Sequence, residues 1–239
     1  MILQMLIIFI VFAHQLQLTL VAVAKKNNDC GWLFDTIATL LNVVGSSCKR
    51  KEMIREIEAH RLSQALEMGE LETGSGLNQE LDLKRPSDTR WSSHYKTLVN
   101  VINLFPTIVK VLVMIGKHGS NVDDKAKAQG IVYSLESFDF VFMAQLMFTI
   151  FGYTNDLCLA LQRKDQDIVG AMRLVSSTKR VLQKMRECGW ESHLRKVTSF
   201  CNIHDIVVPD MEANYIPQGR SKRLFNKQHI FTIFVLKCS

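Results

Sequence analysis

Two cysteines and two histidines near the carboxyl end are the residues best suited to bind a metal ion. Cys188, His193, Cys201 and His204 are residue types that zinc prefers, and zinc takes four such ligands in a tetrahedron. They lie along one amphipathic pattern, without the turns that bring four ligands together, so buried thiols and surface histidines explain them better. We therefore expect no bound metal ion and no other cofactor.

Acidic residues could hold catalytic metal ions, but their setting argues against it. The individually plausible carboxylates are Glu136, Asp139, Asp165 and Asp167. None follows a predicted strand, which is where two-metal phosphoryl-transfer enzymes commonly hold such ligands. The chain also lacks a nucleophile elbow, a phosphate-binding glycine loop and a dinucleotide fingerprint. We expect no enzyme activity and no small-molecule substrate.

Three basic groups could neutralise nucleic-acid phosphates. The first opens a predicted helix, where the positive end of the helix dipole disfavours cations, so a phosphate partner would explain it. A solvated helix face is the alternative. None of the groups lies in a motif that reads base edges, so any binding should be weak, salt-sensitive and indifferent to sequence. The candidates are Lys49, Arg50, Lys51, Arg90, Trp91, Arg220, Lys222 and Arg223.

The composition is that of a foldable, basic, helical chain. Hydrophobic residues make up 47% of the 239 residues, and only 4 prolines and 12 glycines interrupt them, which favours long helices. The net charge of +6 permits an acidic partner without requiring one, since an ordinary basic surface has the same composition. The 6 cysteines are scattered through helical patterns, which indicates reduced, intracellular thiols.

Apolar periodicity predicts a mainly α chain with at most one or two short terminal strands. Asp88 should cap a helix that begins near Trp91, and Pro106 should kink that helix. Gly69–Lys84 reads as an exposed loop. The predicted helices cover 15–26, 32–44, 49–68, the segment from 91 past 112, 123–151, a segment from about 165 to a stop at Gly189, and 190–204.

Apolar positions also predict which helix faces are buried. The helix over 123–151 carries phenylalanines on several sides and should be the central, buried one. In the helix that ends at Gly189, the residues expected to point inward are Ile168, Met172, Val175, Leu182 and Met185.

The first residues admit two interpretations. Met5–Phe12 is a dense apolar stretch that suits a buried strand, and residues 1–24 could instead serve as a signal or membrane anchor. No positive charge precedes Lys25, as a signal peptide requires, and the apolar run is shorter than the roughly 20 residues that span a bilayer. A packed segment is the leading expectation, and a secreted or membrane-anchored helical protein is the alternative.

Several segments together resemble one protein family. Phe12–Leu18 is similar to the region of hAT transposases that joins the ribonuclease-H-like core to its helical insertion, and Arg85–Tyr95 resembles that superfamily's Arg-Trp motif. Ser137–Phe142, Leu161–Asp167 and Gly219–Ser221 resemble the hAT-derived plant zinc finger MYM-type protein 1-like proteins. The match covers roughly residues 12–225 and keeps these words in order.

The resemblance implies a non-catalytic, truncated fragment of a domesticated transposase. In the family three metal-binding carboxylates lie before and after the matched region, and Val11 stands where the motif cysteine is expected. The implied organisation is a remnant core strand over 1–14, the helical insertion domain of a ribonuclease-H-like transposase over 15–208, and a basic, poorly ordered tail over 209–239.

The resemblance also implies roles, partners and a compartment. His14 would take a structural position at the core–insertion junction, and Trp91 would match a tryptophan that stacks on a DNA base, with Arg90 beside it. Core packing is the alternative for Trp91, since it begins an apolar stripe. The expected partners are DNA, bound weakly and without sequence preference, and full-length transposase-like relatives. The expected compartment is the nucleus, with the secretory pathway or a membrane as the alternative.

Overall fold

The computed structural model describes residues 11, 14, 15, 18, 19, 22, 26–69, 83, 91–119, 121–163 and 167–211, with backbone only at residues 91 and 92. In this part of the chain the fold is all helical, as the periodicity predicts, and contains no strand. The helices are α1 (Asn28–Gly45), α2 (Cys48–Glu67), α3 (Trp91–Asn103), α4 (Phe105–His118), α5 (Val122–Leu135), α6 (Phe138–Leu161), α7 (Ile168–Cys188) and α8 (Trp190–Ile203).

Helix α6 lies at the centre of the fold. Its phenylalanines Phe140, Phe142 and Phe151 are fully buried, which confirms the prediction of a central helix rich in this residue. Helices α1, α3, α7 and α8 all pack against it. Aromatic contacts join the layers: Phe34 of α1 stacks on Phe151 with ring centroids 5.7 Å apart, and Trp190 of α8 contacts Phe142 at 5.9 Å.

Helices α4 and α5 form the second layer of the core. They pack closely on each other, and α1 and α2 cover them. Buried aliphatic residues fill this layer, among them Leu40, Ile108, Leu112 and Leu135, each with no exposed surface. They belong to one continuous cluster with the α6 residues, so α1 to α6 and α8 share a single hydrophobic core.

The predicted kink near Pro106 is a sharp break between two helices. Helices α3 and α4 meet at Leu104 with a bend of 77°. Pro106 occupies the first turn of α4, where its missing N–H would have had no helical partner, so the proline starts a helix instead of bending one.

The single helix predicted over 123–151 is wrong. The structure has two helices, α5 and α6, bent by 71° at a break over Glu136 and Ser137. Ser137 caps α6: its hydroxyl accepts a hydrogen bond from the Phe140 N–H at 3.2 Å and donates to the Ser134 carbonyl at 2.6 Å. Apolar residues continue across the break, and this continuity conceals the cap in the sequence pattern.

Other helix predictions are confirmed to within a few residues. Helix α1 begins four residues before the predicted start because the Asn27 side chain accepts hydrogen bonds from the Asp29 and Cys30 N–H groups. Asp167, a neighbour of the predicted Asp165, caps α7, and the Gly189 N–H bonds the Met185 carbonyl at its end. Where the structure describes residues between 14 and 26, their backbone is helical.

Some predictions fall on residues that the structure does not describe. They concern the strand over Met5–Phe12, apart from the helical residue Val11, the cap at Asp88, nearly all of the loop over 70–84, and the tail beyond Met211. Leu83, described within that loop, packs against the core.

Among the described helices, no single one has both the length and the apolar composition to cross a membrane. Only the two bent pairs, α3 with α4 and α5 with α6, satisfy those criteria jointly.

Candidate nucleic-acid interface

Helix α7 lies at the edge of the fold. Of the described helices only α6 and α8 pack against it to any extent, and of its 21 residues Ala171 alone is buried. Ala171, with Leu174 and Val175, covers Leu157 and Leu161 at the end of α6, while Met185 reaches the main core. Because so few of its side chains face inward, most of the circumference of α7 is open to solvent.

Two of the residues predicted to point inward from α7 point outward. Ile168 and Met172 are 54% and 67% exposed, so that part of the prediction is wrong. At about 100° per residue both lie at the edge of the apolar face, and a helix with only two neighbours buries a narrow face. Val175, Leu182 and Met185 are half-buried, in agreement with the prediction.

The outer face of α7 carries a shallow cavity of about 290 Å³. Val169 and Met172 line its amino-terminal end, Ser176 lies in the middle, and Arg173 and Arg180 line the remainder. All five of the described lining side chains come from α7. The cavity opens along the helix surface, with Val169, Met172 and Arg173 towards its amino-terminal end and Arg180 at the other end.

Positive charge is concentrated on α7 more than on any other described helix. The helix carries five cations against one carboxylate, Glu187, which accepts a hydrogen bond from Gln183 at 2.6 Å. All five cations are exposed, and none has an ion-pair partner in the described part of the chain. The cations are Arg173, Lys179, Arg180, Lys184 and Arg186.

Three of these cations form a row. At about 100° and 1.5 Å per residue, Arg173, Arg180 and Lys184 fall within an arc of about 40° and span about 16 Å along the axis. We define the α7 face as Val169, Met172, Ser176 and this row. An unpaired row of cations beside exposed apolar groups can bind an extended anionic polymer.

The basic group predicted at the start of α2 divides into two kinds of residue. Lys49 and Lys51 are exposed and free to meet an anion. Arg50 is already used: it pairs with Asp124 of α5 at 2.5 Å and donates to the Val43 carbonyl at 2.7 Å and the Ser46 hydroxyl at 2.9 Å. Arg50 thus holds the end of α1 and the start of α5 against α2.

The other predicted site residues are less informative. Trp91 is the first residue of α3, and its side chain lies outside the description, so stacking and core packing both remain predictions. His14 is exposed on helical backbone. Arg90, Arg220, Lys222 and Arg223 lie outside the described residues.

The four zinc candidates do not converge. Cys188 is exposed, whereas His193 and Cys201 are buried on the inner face of α8, and no group of three or more possible ligands exists among the described residues. Burial lowers the pKa of His193 to about 4 and raises the pKa of the Cys201 thiol to about 11. A neutral imidazole against Phe142 and a protonated thiol are core groups here. The expectation of surface histidines is therefore wrong for His193, and the expectation of buried thiols is wrong for Cys188.

Two of the four carboxylates considered as metal ligands stabilise helix starts. Asp167 caps α7, accepting a hydrogen bond from the Gly170 N–H at 2.5 Å, and Asp139 lies in the first turn of α6, where a negative charge favours the helix dipole. Asp165 lies outside the described residues.

Sequence reasoning missed the α7 face although a signal was present. Arg173, Arg180 and Lys184 recur at spacings of seven and four, which places them on one side of any helix. A search for cations that are adjacent in sequence does not find this row. Adjacent residues on a helix point in different directions, and residues on one side of it are three, four or seven positions apart.

The comparisons with protein families and with solved structures assign no function to this chain, so any functional proposal rests on the chain's own residues. No protein-family model matches the sequence, and no solved structure matches the chain at a significant level.

Proposed function

We propose that this protein is a non-catalytic helical module that binds nucleic acid weakly and without sequence preference through the α7 face. The observation that carries the proposal is the exposed row Arg173, Arg180 and Lys184, which has no ion-pair partner among the described residues. Phosphates are the anions that such a row meets at regular intervals along a polymer, and neutralising them releases counterions. Arginine, with its planar fork of donors, suits phosphate oxygens especially well.

We also propose an evolutionary origin for the chain. We assign the chain to the helical insertion of an hAT-type transposase, acting in the nucleus beside DNA or full-length relatives. The ordered resemblance over residues 12–225 supports this, and so does the all-helical architecture of the described residues, which a helical insertion requires. Two-metal chemistry needs converging carboxylates, and the absence of any group of three possible metal ligands among the described residues supports a binding role over a catalytic one.

Residues at the start of α2 would add to the same activity. Lys49 and Lys51 are exposed at the amino end of a helix whose Ser47 makes no side-chain capping hydrogen bond. Free backbone N–H groups and two lysines together favour a phosphate at this position. They lie on an element that packs against α1 and α4, so α2 and α7 would contribute separate contacts.

Charge reversal on α7 tests the proposal. We expect the double substitution Arg173→Glu and Arg180→Glu to weaken binding to a mixed-sequence DNA oligonucleotide, measured by fluorescence anisotropy in its single-stranded and duplex forms. Each lost phosphate contact removes about 0.7–0.9 from the slope of log K against log salt concentration, so the slope should fall by about 1.5.

The matched control is Lys110→Glu with Lys117→Glu. Both lysines are exposed on α4, which does not pack against α7, and the change in net charge is the same. If the control variant loses as much affinity as the α7 variant, bulk charge explains the binding. If the unmodified protein binds neither form of DNA at low salt, the proposed function is wrong.

A further inference from the structure

The α7 face has exposed apolar side chains beside its basic ones. Phosphate binding alone requires only the basic side chains. Met172, Ser176, Arg180 and Lys184 follow one another at intervals of four residues, so they form one continuous row along the helix. Met172 is 67% exposed and Val169 is 58% exposed at the amino-terminal end of the cavity. Two exposed apolar side chains at the end of a cationic row offer a ligand a hydrophobic contact beside the charged ones.

Single-stranded and double-stranded nucleic acids differ in what they offer to such a surface. A duplex offers phosphates but keeps the faces of its bases within the stack. A single strand offers the same phosphates together with unstacked bases, whose faces are apolar and bind side chains irrespective of sequence. Only the single strand can cover Met172 and Val169 while its phosphates lie along the cations.

The dimensions of the α7 face fit this arrangement. The row from Arg173 to Lys184 is about 16 Å long, so several successive phosphates of one strand can lie along it. Ser176, small and central in the cavity, leaves space between Met172 and Arg180. The methionine thioether is polarisable and adapts its shape to an aromatic ring, as a base-binding surface without sequence preference requires.

We propose that the α7 face takes single-stranded nucleic acid in preference to the duplex, with phosphates on Arg173, Arg180 and Lys184 and a base against Met172 in the cavity. This inference rests on the proposed function and specifies its ligand. A bound single strand would cover Met172 and Val169, which double-stranded DNA bound through its phosphates would leave exposed.

The experiment compares the full chain with Met172→Gln on one oligonucleotide, as a single strand and annealed to its complement, at one salt concentration. The unmodified protein should bind the single strand more tightly. Met172→Gln should weaken single-strand binding by about three- to tenfold, in line with the strength of a sulfur–aromatic contact, and leave duplex binding unchanged. The matched control is Met68→Gln, the same substitution at a methionine that is 71% exposed at the end of α2, and it should change neither affinity.

The failures of the two proposals are distinguishable. Absence of binding to either form contradicts the proposed function itself. Equal binding of both forms, tighter binding of the duplex, or an unchanged single-strand affinity in Met172→Gln contradicts only the single-strand inference. Binding of poly-glutamate as tight as that of the strand, equally sensitive to Met172→Gln, would assign the surface to acidic peptides and overturn both. Circular dichroism should show unchanged helix content in both variants, because both methionines are exposed.

Discussion

A basic residue contributes to an interface only when its charge is not already in use. Arg50 and Arg173 are both arginines on helices. Arg50 is held by Asp124 and by two oxygens at the end of α1, whereas Arg173 faces solvent on the α7 face. Sequence spacing identified the group that contains Arg50, because adjacent cations are conspicuous. Which of them is paired depends on an acid 74 residues away, and no local pattern contains that partner.

Glu58 is a charged residue that is buried in the described part of the chain. It accepts a hydrogen bond from the Thr107 hydroxyl at 2.6 Å and pairs with Arg61, also at 2.6 Å, which joins α2 to α4. Burial raises the pKa of Glu58, but the hydrogen bonds from Arg61 and Thr107 and the attraction of the Arg61 charge together outweigh burial and hold the pKa below its ordinary value. The native state therefore favours the ionised carboxylate.

We expect Glu58→Gln to lower the free energy of unfolding at neutral pH by about 1.5–3 kcal/mol, the range for hydrogen bonds to charged groups. Because the folded pKa is lowered, this stabilisation is present above the unfolded value of about 4.3 and is lost as the pH falls through the folded value. Urea denaturation at pH 7 and at pH 3 measures both effects.

The control for Glu58 is Glu52→Gln, which removes an exposed carboxylate paired with Arg55 on the same helix. Exposed pairs contribute about 0–1 kcal/mol, so this variant should remain close to the parent. A Glu58→Gln protein as stable as the Glu52→Gln protein at pH 7 would show that the α2–α4 contact does not depend on the charge.

Among the helices, starts and stops were more predictable than buried faces. Asp167 and Gly189 are local signals. In the structure α7 begins after Asp167, close to the predicted Asp165, and ends before Gly189, the predicted stop. The break between α5 and α6 also has a local cause in Ser137, but apolar residues on both sides hide it. The inward assignment of Met172 failed for a different reason: the width of a buried face depends on how many neighbours a helix has, which is a tertiary property.

The connection between α7 and α8 depends on a glycine. A Cβ atom on Gly189 would lie 2.2 Å from the Met185 carbonyl oxygen, closer than any real contact, and the obstacle is backbone that cannot rotate away. We expect Gly189→Ala to shift the two helices and to lower the free energy of unfolding by about 1–3 kcal/mol, as overpacking does. Thermal unfolding followed by circular dichroism would measure the change.

Gly31 provides the opposite case. It lies inside α1, and a Cβ there would meet nothing within 4 Å. Gly31→Ala should therefore stabilise the protein by about 0.4–1 kcal/mol through the unfolded chain. A Gly189→Ala protein that is as stable as Gly31→Ala would contradict the tight α7–α8 connection.

At the scale of the molecule, charge and core are separated. The charged residues of α1 and α6, which form much of the core, are all acidic, whereas α7 at the edge carries the largest excess of cations. The net charge of +6 in the composition allowed a basic surface but gave no position for it. Its position follows from which helix the packing leaves at the edge.

We expect no metal-dependent cleavage of nucleic acid by the full chain. Two-metal chemistry needs carboxylates that converge on the ions, and within the described residues no three possible metal ligands come together. Incubation of supercoiled plasmid with the protein and Mg²⁺ or Mn²⁺ should leave it intact. Nicking that depends on the metal and disappears on substitution of one of the chain's own acids would make the protein a nuclease.

Photo-crosslinking from the α7 face tests the central claim most directly. A photoreactive p-benzoylphenylalanine in place of Ser176, in the middle of the cavity, should crosslink to a bound single-stranded oligonucleotide on irradiation. The same group in place of Ser63, exposed on α2, serves as the control and should give little product. Strong crosslinking at Ser176 with little at Ser63 is the predicted result. Equal crosslinking at the two positions, or none at Ser176 under conditions where anisotropy shows binding, would contradict the claim that nucleic acid lies on α7.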